Sequence, residues 1–321
     1  MKKSQERLSL AVIAANLGTL AMVITLLWFG LIGYSHADNP NPAQNCEIAT
    51  RQVALDGGVL YYNQAGRGAP VLLLHGLFAQ KEQWNTMLCL MAAAGYLAIA
   101  PDLPGSGKST DFPLADYKLD HQVERLRQFM ETLGIARFDI AGSSMGGAIA
   151  AFYVERNPRQ IRTLAFIGSP LGAIEWGNAV KDAIYQGINP FIPITIPQFD
   201  LEMSLLFVKP PAIPDTVKAA LVQDYSERNR HYQQVWDVVS LYDTLLDRGL
   251  RIQTPTLILW GEADQIFAVE GANRLRFRIP RSRVVRLPSA GHLPQLENPS
   301  QTAAIYLGFL QSRRPRPDWQ P

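Results

Sequence analysis

Ser144 is the residue of this chain whose surroundings point most directly to chemistry. It lies in Ile140-Ala141-Gly142-Ser143-Ser144-Met145-Gly146-Gly147, with Gly142 two positions before it and Gly146 two after. Ser143 lacks that frame, because Ala141 and Met145 stand where its glycines would be. A G-x-S-x-G frame sets a serine on a sharp turn between a strand and a helix. The turn is strained, and a Cβ at the flanking positions would collide with nearby backbone. A serine hydroxyl is a weak nucleophile at neutral pH, so it needs a base, and the base needs an orienting carboxylate. Asp264 in Leu259-Trp260-Gly261-Glu262-Ala263-Asp264-Gln265 and His292 in Ser289-Ala290-Gly291-His292 follow Ser144 along the chain. That is the serine, acid, histidine order expected when such a serine sits on a parallel sheet.

The competing residues read differently. His36 lies in the N-terminal leader, and His121 and His231 fall on expected helices as solvated or packing residues. His75 ends a strand just before Gly76 and reads as a structural turn residue. Glu262 is the weaker acid candidate, and Glu297 is expected to order the loop before the last helix. Acyl transfer also needs two donors for an oxyanion. The N–H of Met145, just after the serine, and that of Leu77 in His75-Gly76-Leu77-Phe78 are the expected pair. Gly105-Ser106-Gly107-Lys108-Ser109 imitates a phosphate loop, but Asp102 stands where that loop needs its first glycine, so it reads as a turn.

These residues require strands to end beside one another. Gln52–Leu55 and Val59–Asn63 alternate around Asp56-Gly57-Gly58 as an antiparallel pair. Val71–Leu74, Tyr96–Ala100, Phe138–Ala141, Thr163–Ile167, Thr256–Trp260 and Arg283–Leu287 read as further strands. Helices are expected at Lys81–Ala94, Leu119–Leu133, from Gly147, at Val269–Ile279 and near Gln301–Gln311. Alternating strands and helices imply a mostly parallel sheet covered on both faces. The pattern assigns 51–170 and 251–312 to this core, with a helical, proline-rich cap inserted at 171–250. Residues 38–50 read as a linker and 313–321 as a disordered tail.

The chain has 321 residues, 47% apolar and 18% charged, with a net charge of +2, which gives no reason to expect a nucleic-acid partner. Two cysteines, Cys46 and Cys89, provide neither a metal-ligand spacing nor a disulfide framework. One disulfide in an oxidising compartment and two free thiols are both compatible with them. Lys2, Lys3 and Arg7 precede Leu8–Gly33, a stretch of 26 residues without a charge. Within 1–37 this is expected to form a single-pass N-terminal transmembrane helix, with the rest of the chain extracytoplasmic. Ser35-His36-Ala37 carries small residues suited to a signal peptidase, so secretion after cleavage is the alternative.

Taken in order, His75-Gly76, Asp102-Leu103-Pro104-Gly105, Gly142 to Gly147, Gly261 to Asp264 and Gly291-His292 resemble the motifs of an α/β-hydrolase over Gln52 to Gln311. His75 to Trp84 and the segments Ile192 to Met203 and Val217 to Tyr225 are similar to the membrane-anchored monoacylglycerol lipases of that superfamily. The oxyanion position is usually aromatic in that group, whereas here it is Leu77. The resemblance implies a serine carboxylic-ester hydrolase acting on small amphiphilic or lipid esters, without a cofactor or metal. Ser144, Asp264 and His292 would form the triad, Leu77 and Met145 the oxyanion hole, and Phe78, Trp176, Phe191 and Phe207 the substrate site. A C–C bond hydrolase or a cofactor-free perhydrolase on the same triad, and a non-catalytic binding protein, are the alternatives.

Overall fold

The computed structural model describes residues 46–241 and 249–313. The expected anchor at Leu8–Gly33 and most of the expected tail lie outside them. Among the described residues no helix is long and apolar enough to cross a membrane.

The strands are β1 (Ala49–Leu55), β2 (Gly58–Gly66), β3 (Ala69–Leu74), β4 (Tyr96–Pro101), β5 (Phe138–Ser144), β6 (Ile161–Pro170), β7 (Thr256–Gly261) and β8 (Ser282–Leu287). They form one sheet in the order β1-β2-β4-β3-β5-β6-β7-β8. β1 and β2 pair antiparallel, as does β2 with β4, and every later pairing is parallel. β1 begins at Ala49 rather than Gln52, because its outer residues are exposed and carry little apolar signal. Central strands such as Val71–Leu74 and Thr256–Gly261 are wholly buried, as expected with both faces covered.

The helices are α1 (Asn85–Ala93), α2 (Leu119–Thr132), α3 (Met145–Arg156), α4 (Asn178–Tyr185), α5 (Ile196–Leu206), α6 (Asp215–Glu227), α7 (Asn229–Ser240), α8 (Glu270–Arg278), α9 (Pro294–Glu297) and α10 (Pro299–Ser312). The helix expected over Lys81–Ala94 is divided, with a 3₁₀ turn at Lys81–Trp84 before α1. In α2, Val123, Leu126, Phe129 and Met130 recur at helical spacing and are buried with Ile149 of α3 and Leu275 of α8 in one core. The opposite face holds a second core, in which Trp84, Met87 and Met91 meet Tyr306 and Phe309 of α10. Between β6 and β7 the described residues form α4 to α7, a helical layer interrupting the alternation.

Cys46 and Cys89 are joined in a disulfide, with their Cα atoms 5.4 Å apart. It ties the residue just ahead of β1 to the middle of α1.

Strand order reverses at β3, which lies between β4 and β5 although it precedes both. A parallel sheet opens a crevice at the carboxyl ends of its strands at such a point. His75 to Phe78 leave the end of β3 there, and Ser144 ends β5 next to it.

Candidate active site

Ser144 has φ 52° and ψ −120°, a region that residues with a Cβ seldom occupy. The strain is local and its supports are visible. A Cβ on Gly142 would come within 2.2 Å of the Gly146 carbonyl oxygen, and one on Gly146 within 2.3 Å of the Leu74 oxygen. Only glycines let the strand, the turn and α3 approach this closely. Ser143 beside it is fully buried, and its Oγ accepts a hydrogen bond from Gln295 Nε2 at 3.1 Å. The elbow therefore presents Ser144 and pins Ser143.

His292 and Asp264 meet at the neighbouring strand ends. His292 Nδ1 lies 3.2 and 3.1 Å from Asp264 Oδ1 and Oδ2. The carboxylate is heavily solvated by the protein itself. Its Oδ1 accepts from the N–H groups of Ile266 and Phe267 at 2.9 and 3.0 Å, and its Oδ2 accepts from Ser169 Oγ at 2.6 Å. Glu262, the weaker acid candidate, is exposed. Ser169 also lies 2.9 Å from His292 Nδ1, so it touches both partners. It was not singled out by the sequence. Its signal is its place in Gly168-Ser169-Pro170 at the end of β6, beside Ser144, which pairs with Pro170 in register. Ser144 and His292 are thus set around the same strand end, although Ser144 Oγ makes no hydrogen bond to the ring.

The histidine loop is held by the cap and by Glu297. The N–H of His292 donates to the Leu206 carbonyl at 3.1 Å. Glu297 Oε1 accepts from Gly291 N–H at 2.7 Å, and Oε2 from Val208 N–H at 2.8 Å. Glu297 orders its loop as expected, and it also joins that loop to the cap. Burial holds its carboxyl above the usual range, opposed by those two N–H donors.

Among the described residues Leu77 N–H donates to no acceptor, and Met145 N–H belongs to the unpaired first turn of α3. Both are available to an external oxygen. A Cβ on Gly76 would lie 3.3 Å from Ser144 Cβ, so this loop runs against the serine. Phe78 has φ 55°, a second strained non-glycine residue, beside the first.

The four expected substrate residues separate. Trp176 stacks on Phe267 at 4.7 Å and meets Phe191 and Trp236 at 5.5 and 5.9 Å. Phe267 lies 5.9 Å from the His292 ring, so this aromatic cluster reaches the site. Phe78 stands edge-on to Tyr225 and Tyr232 of the cap at 6.5 and 5.3 Å. Phe207 is buried with Phe199, Met203 and Leu293. Trp236, Tyr225 and Tyr232 carried no sequence signal, since their helical spacing is that of ordinary packing, and Phe267 lies in the loop after β7, bridged to Trp176.

The decoys resolve as turns. His75 Nδ1 lies 2.7 Å from the Gly76 carbonyl, and its Nε2 accepts from Leu103 N–H at 3.0 Å. In Gly105–Ser109, the Gly105 N–H donates to the Ser109 carbonyl at 2.8 Å. Among the described residues no cluster of three or more His, Cys, Asp or Glu side chains is placed to hold a metal ion.

The sequence model of the alpha/beta hydrolase fold family matches residues 69–299. The chain belongs to the alpha/beta hydrolase fold family. Within it, the chain is similar to Lipase 1 of Psychrobacter immobilis, 29% identical over 79% of this chain and 81% of that one. It is similar to the monoacylglycerol lipase abhd6-A of Xenopus laevis, 30% identical over 77% of each. Among solved structures it resembles a membrane phospholipase A described as a novel bacterial virulence factor. That likeness has TM-score 0.78 and 29% identity, and covers 98% of this chain and 100% of that one. These alpha/beta hydrolase relatives bear the names of ester hydrolases, and the chain is an ester hydrolase with them.

Proposed function

We propose that this alpha/beta hydrolase is a membrane-anchored serine lipase of small amphiphilic acyl esters, close in substrate to monoacylglycerol lipases. The observation that carries the reading is the strained Ser144 at the end of β5 beside a buried His292–Asp264 pair. Among the described residues His292 Nε2 has no hydrogen-bond partner, which leaves it to take the Ser144 proton as Oγ attacks the acyl carbon. Asp264 fixes the ring with its Nδ1 proton inward and stabilises the imidazolium that forms. The N–H groups of Leu77 and Met145 receive the developing oxyanion, each lowering the barrier by about 3 kcal/mol. The protonated His292 then gives its proton to the departing alcohol. Water, deprotonated by the same nitrogen, releases the fatty acid and restores Ser144.

Phe78, Trp176, Phe191 and Phe207 are assigned to the acyl channel. Leu8–Gly33 is assigned to a single-pass anchor, with the folded chain on the extracytoplasmic side. The Cys46–Cys89 disulfide supports that compartment, because such bonds persist where the milieu is oxidising.

The test is kcat/KM of the full chain in detergent, across p-nitrophenyl esters of rising acyl length and across monoacylglycerols, with Ser144→Ala as control. Turnover that peaks at medium or long chains and disappears in the control supports the reading. A folded protein that turns over no ester sinks it. Membranes washed with alkaline carbonate test the anchor, which predicts that the protein stays with the pellet.

A further inference from the structure

The cap holds a carboxyl that the mechanism above does not use. Glu202 on α5 is only 6% exposed, yet it has no hydrogen bond or ion pair among the described residues. A buried carboxyl that serves only the fold is normally paired, because leaving it unpaired opposes folding. Its surroundings place it over the site. One turn further along α5, the Leu206 carbonyl accepts the His292 N–H. Three residues along from Phe199, Glu202 shares its face of α5. Next to it, Met203 and Phe199 pack with Leu293, the neighbour of His292.

Across from α5 stands a pair of tyrosines. Tyr225 of α6 and Tyr232 of α7 have ring centroids 4.6 Å apart, and both meet Phe78 of the oxyanion loop edge-on. The Tyr232 hydroxyl is occupied, donating to Asp224 Oδ2 at 2.6 Å. The Tyr225 hydroxyl makes no hydrogen bond among the described residues. Leu221 and Val222, one turn before Tyr225 on the same face of α6, pack against the Phe199 and Met203 face of α5 that carries Glu202. Glu202 keeps 6% of its surface exposed, and Tyr225 is half-buried. Glu202 and Tyr225 thus stand between the oxyanion loop and the histidine loop, with Asp224 and Arg228 at the far side of Tyr232.

We propose that Glu202 and Tyr225 form a polar subsite that receives a free hydroxyl on the alcohol portion of the ester, selecting uncharged polyol esters over plain alkyl esters. This rests on the ester-hydrolase reading above. The chemistry fits a hydroxyl. Burial keeps Glu202 well above the usual carboxyl range and Tyr225 well above the usual phenol range, so both stay neutral. A neutral carboxyl and a neutral phenol each donate and accept, which matches a group that also does both.

The experiment compares two esters of one acyl chain, a monoacylglycerol and the corresponding methyl ester, on the full chain in detergent. The quantity read is the ratio of their kcat/KM values, which is insensitive to partial loss of folded protein. Glu202→Leu is expected to lower the ratio about tenfold, mostly through KM of the glycerol ester. Glu202→Gln, which keeps a donor and an acceptor, is expected to hold the ratio within about threefold of the parent. Tyr225→Phe keeps the ring against Phe78 and is expected to lower the ratio about threefold or more. A ratio unmoved by Glu202→Leu overturns the proposal, leaving solvent as the partner of the carboxyl. Equal falls in Glu202→Leu and Glu202→Gln also overturn it, since they mark a packing role. A parent protein that hydrolyses neither ester instead sinks the ester-hydrolase reading itself.

Discussion

Two histidines of this chain end strands at the same edge of the sheet, His75 after β3 and His292 after β8, and they are 0% and 3% exposed. Each lies near a buried aspartate. At His75 both ring nitrogens are engaged, one with the Gly76 carbonyl and one with the Leu103 N–H. Its aspartate, Asp102, is bound instead to Lys81, with Nζ to Oδ2 at 2.8 Å. Burial, opposed by Asp102, holds the His75 ring below the usual histidine range, so it stays neutral. At His292 the carboxylate and Ser169 hold Nδ1, and Nε2 has no partner among the described residues. Depth and a nearby acid are therefore common to both. What separates a ring that braces a turn from one that can move a proton is the vacant nitrogen and an aspartate not already claimed by a lysine.

The sharpest way to break this comparison is to remove each ring in turn. His292→Ala or Ser144→Ala is expected to lower kcat about a million-fold while leaving the melting temperature nearly unchanged. His75→Ala that lost turnover to the same extent, measured on folded protein, would erase the distinction. Asp264→Asn keeps the shape but favours the wrong tautomer, and about a 10⁴-fold fall in kcat is expected. Asp102→Asn should instead read out as lost stability, because it strands the buried Lys81 ammonium. Ser169→Ala removes a hydrogen bond to the carboxylate and is expected to lower kcat about tenfold to a hundredfold, with KM little changed. His75→Ala leaves the Leu103 N–H unpaired, and a loss of about 1–3 kcal/mol in chemical denaturation is expected.

The smallest expected effect is a pH dependence. The folded chain holds the Glu202 proton more tightly than the unfolded chain, whose carboxyl titrates near 4.5. The stability tied to that proton is complete below pH 4.5 and is lost as pH rises towards the raised folded value. Glu202→Gln is therefore expected to gain on the parent as pH increases from 4.5, in melts taken at each pH. Parallel curves would show that the carboxyl titrates normally.

The sheet was legible because its central strands are continuous apolar runs, and the elbow because Gly142 and Gly146 frame one serine of two. The edge strand β1 was read short, since alternating exposure leaves few apolar marks. Asp264 and His292 were singled out as polar residues in the loops that follow β7 and β8. Ser169 was not, because its role comes from the register of β6 against β5 and β7, which no local spacing encodes. The cap was legible only as helical and proline-rich. Its tyrosines and Glu202 owe their places to how four helices cross, and their spacing along the chain is that of ordinary packed or solvated faces. The cysteines left two states open, and only the approach of Cys46 to α1 decides between them.

That disulfide also determines how the folded chain would carry load. β1 is an edge strand, hydrogen-bonded on one side only, and a steady pull on its leading end would unzip it one pair at a time. Force arriving from the residues before Cys46 does not reach β1 first. It passes through a covalent bond to Cys89 and into α1, whose Met87, Leu88 and Met91 are buried against the centre of the sheet. The strand thus stays slack while the core bears the tension, and drag on the globule is met by shear across a packed helix rather than by peeling at a margin.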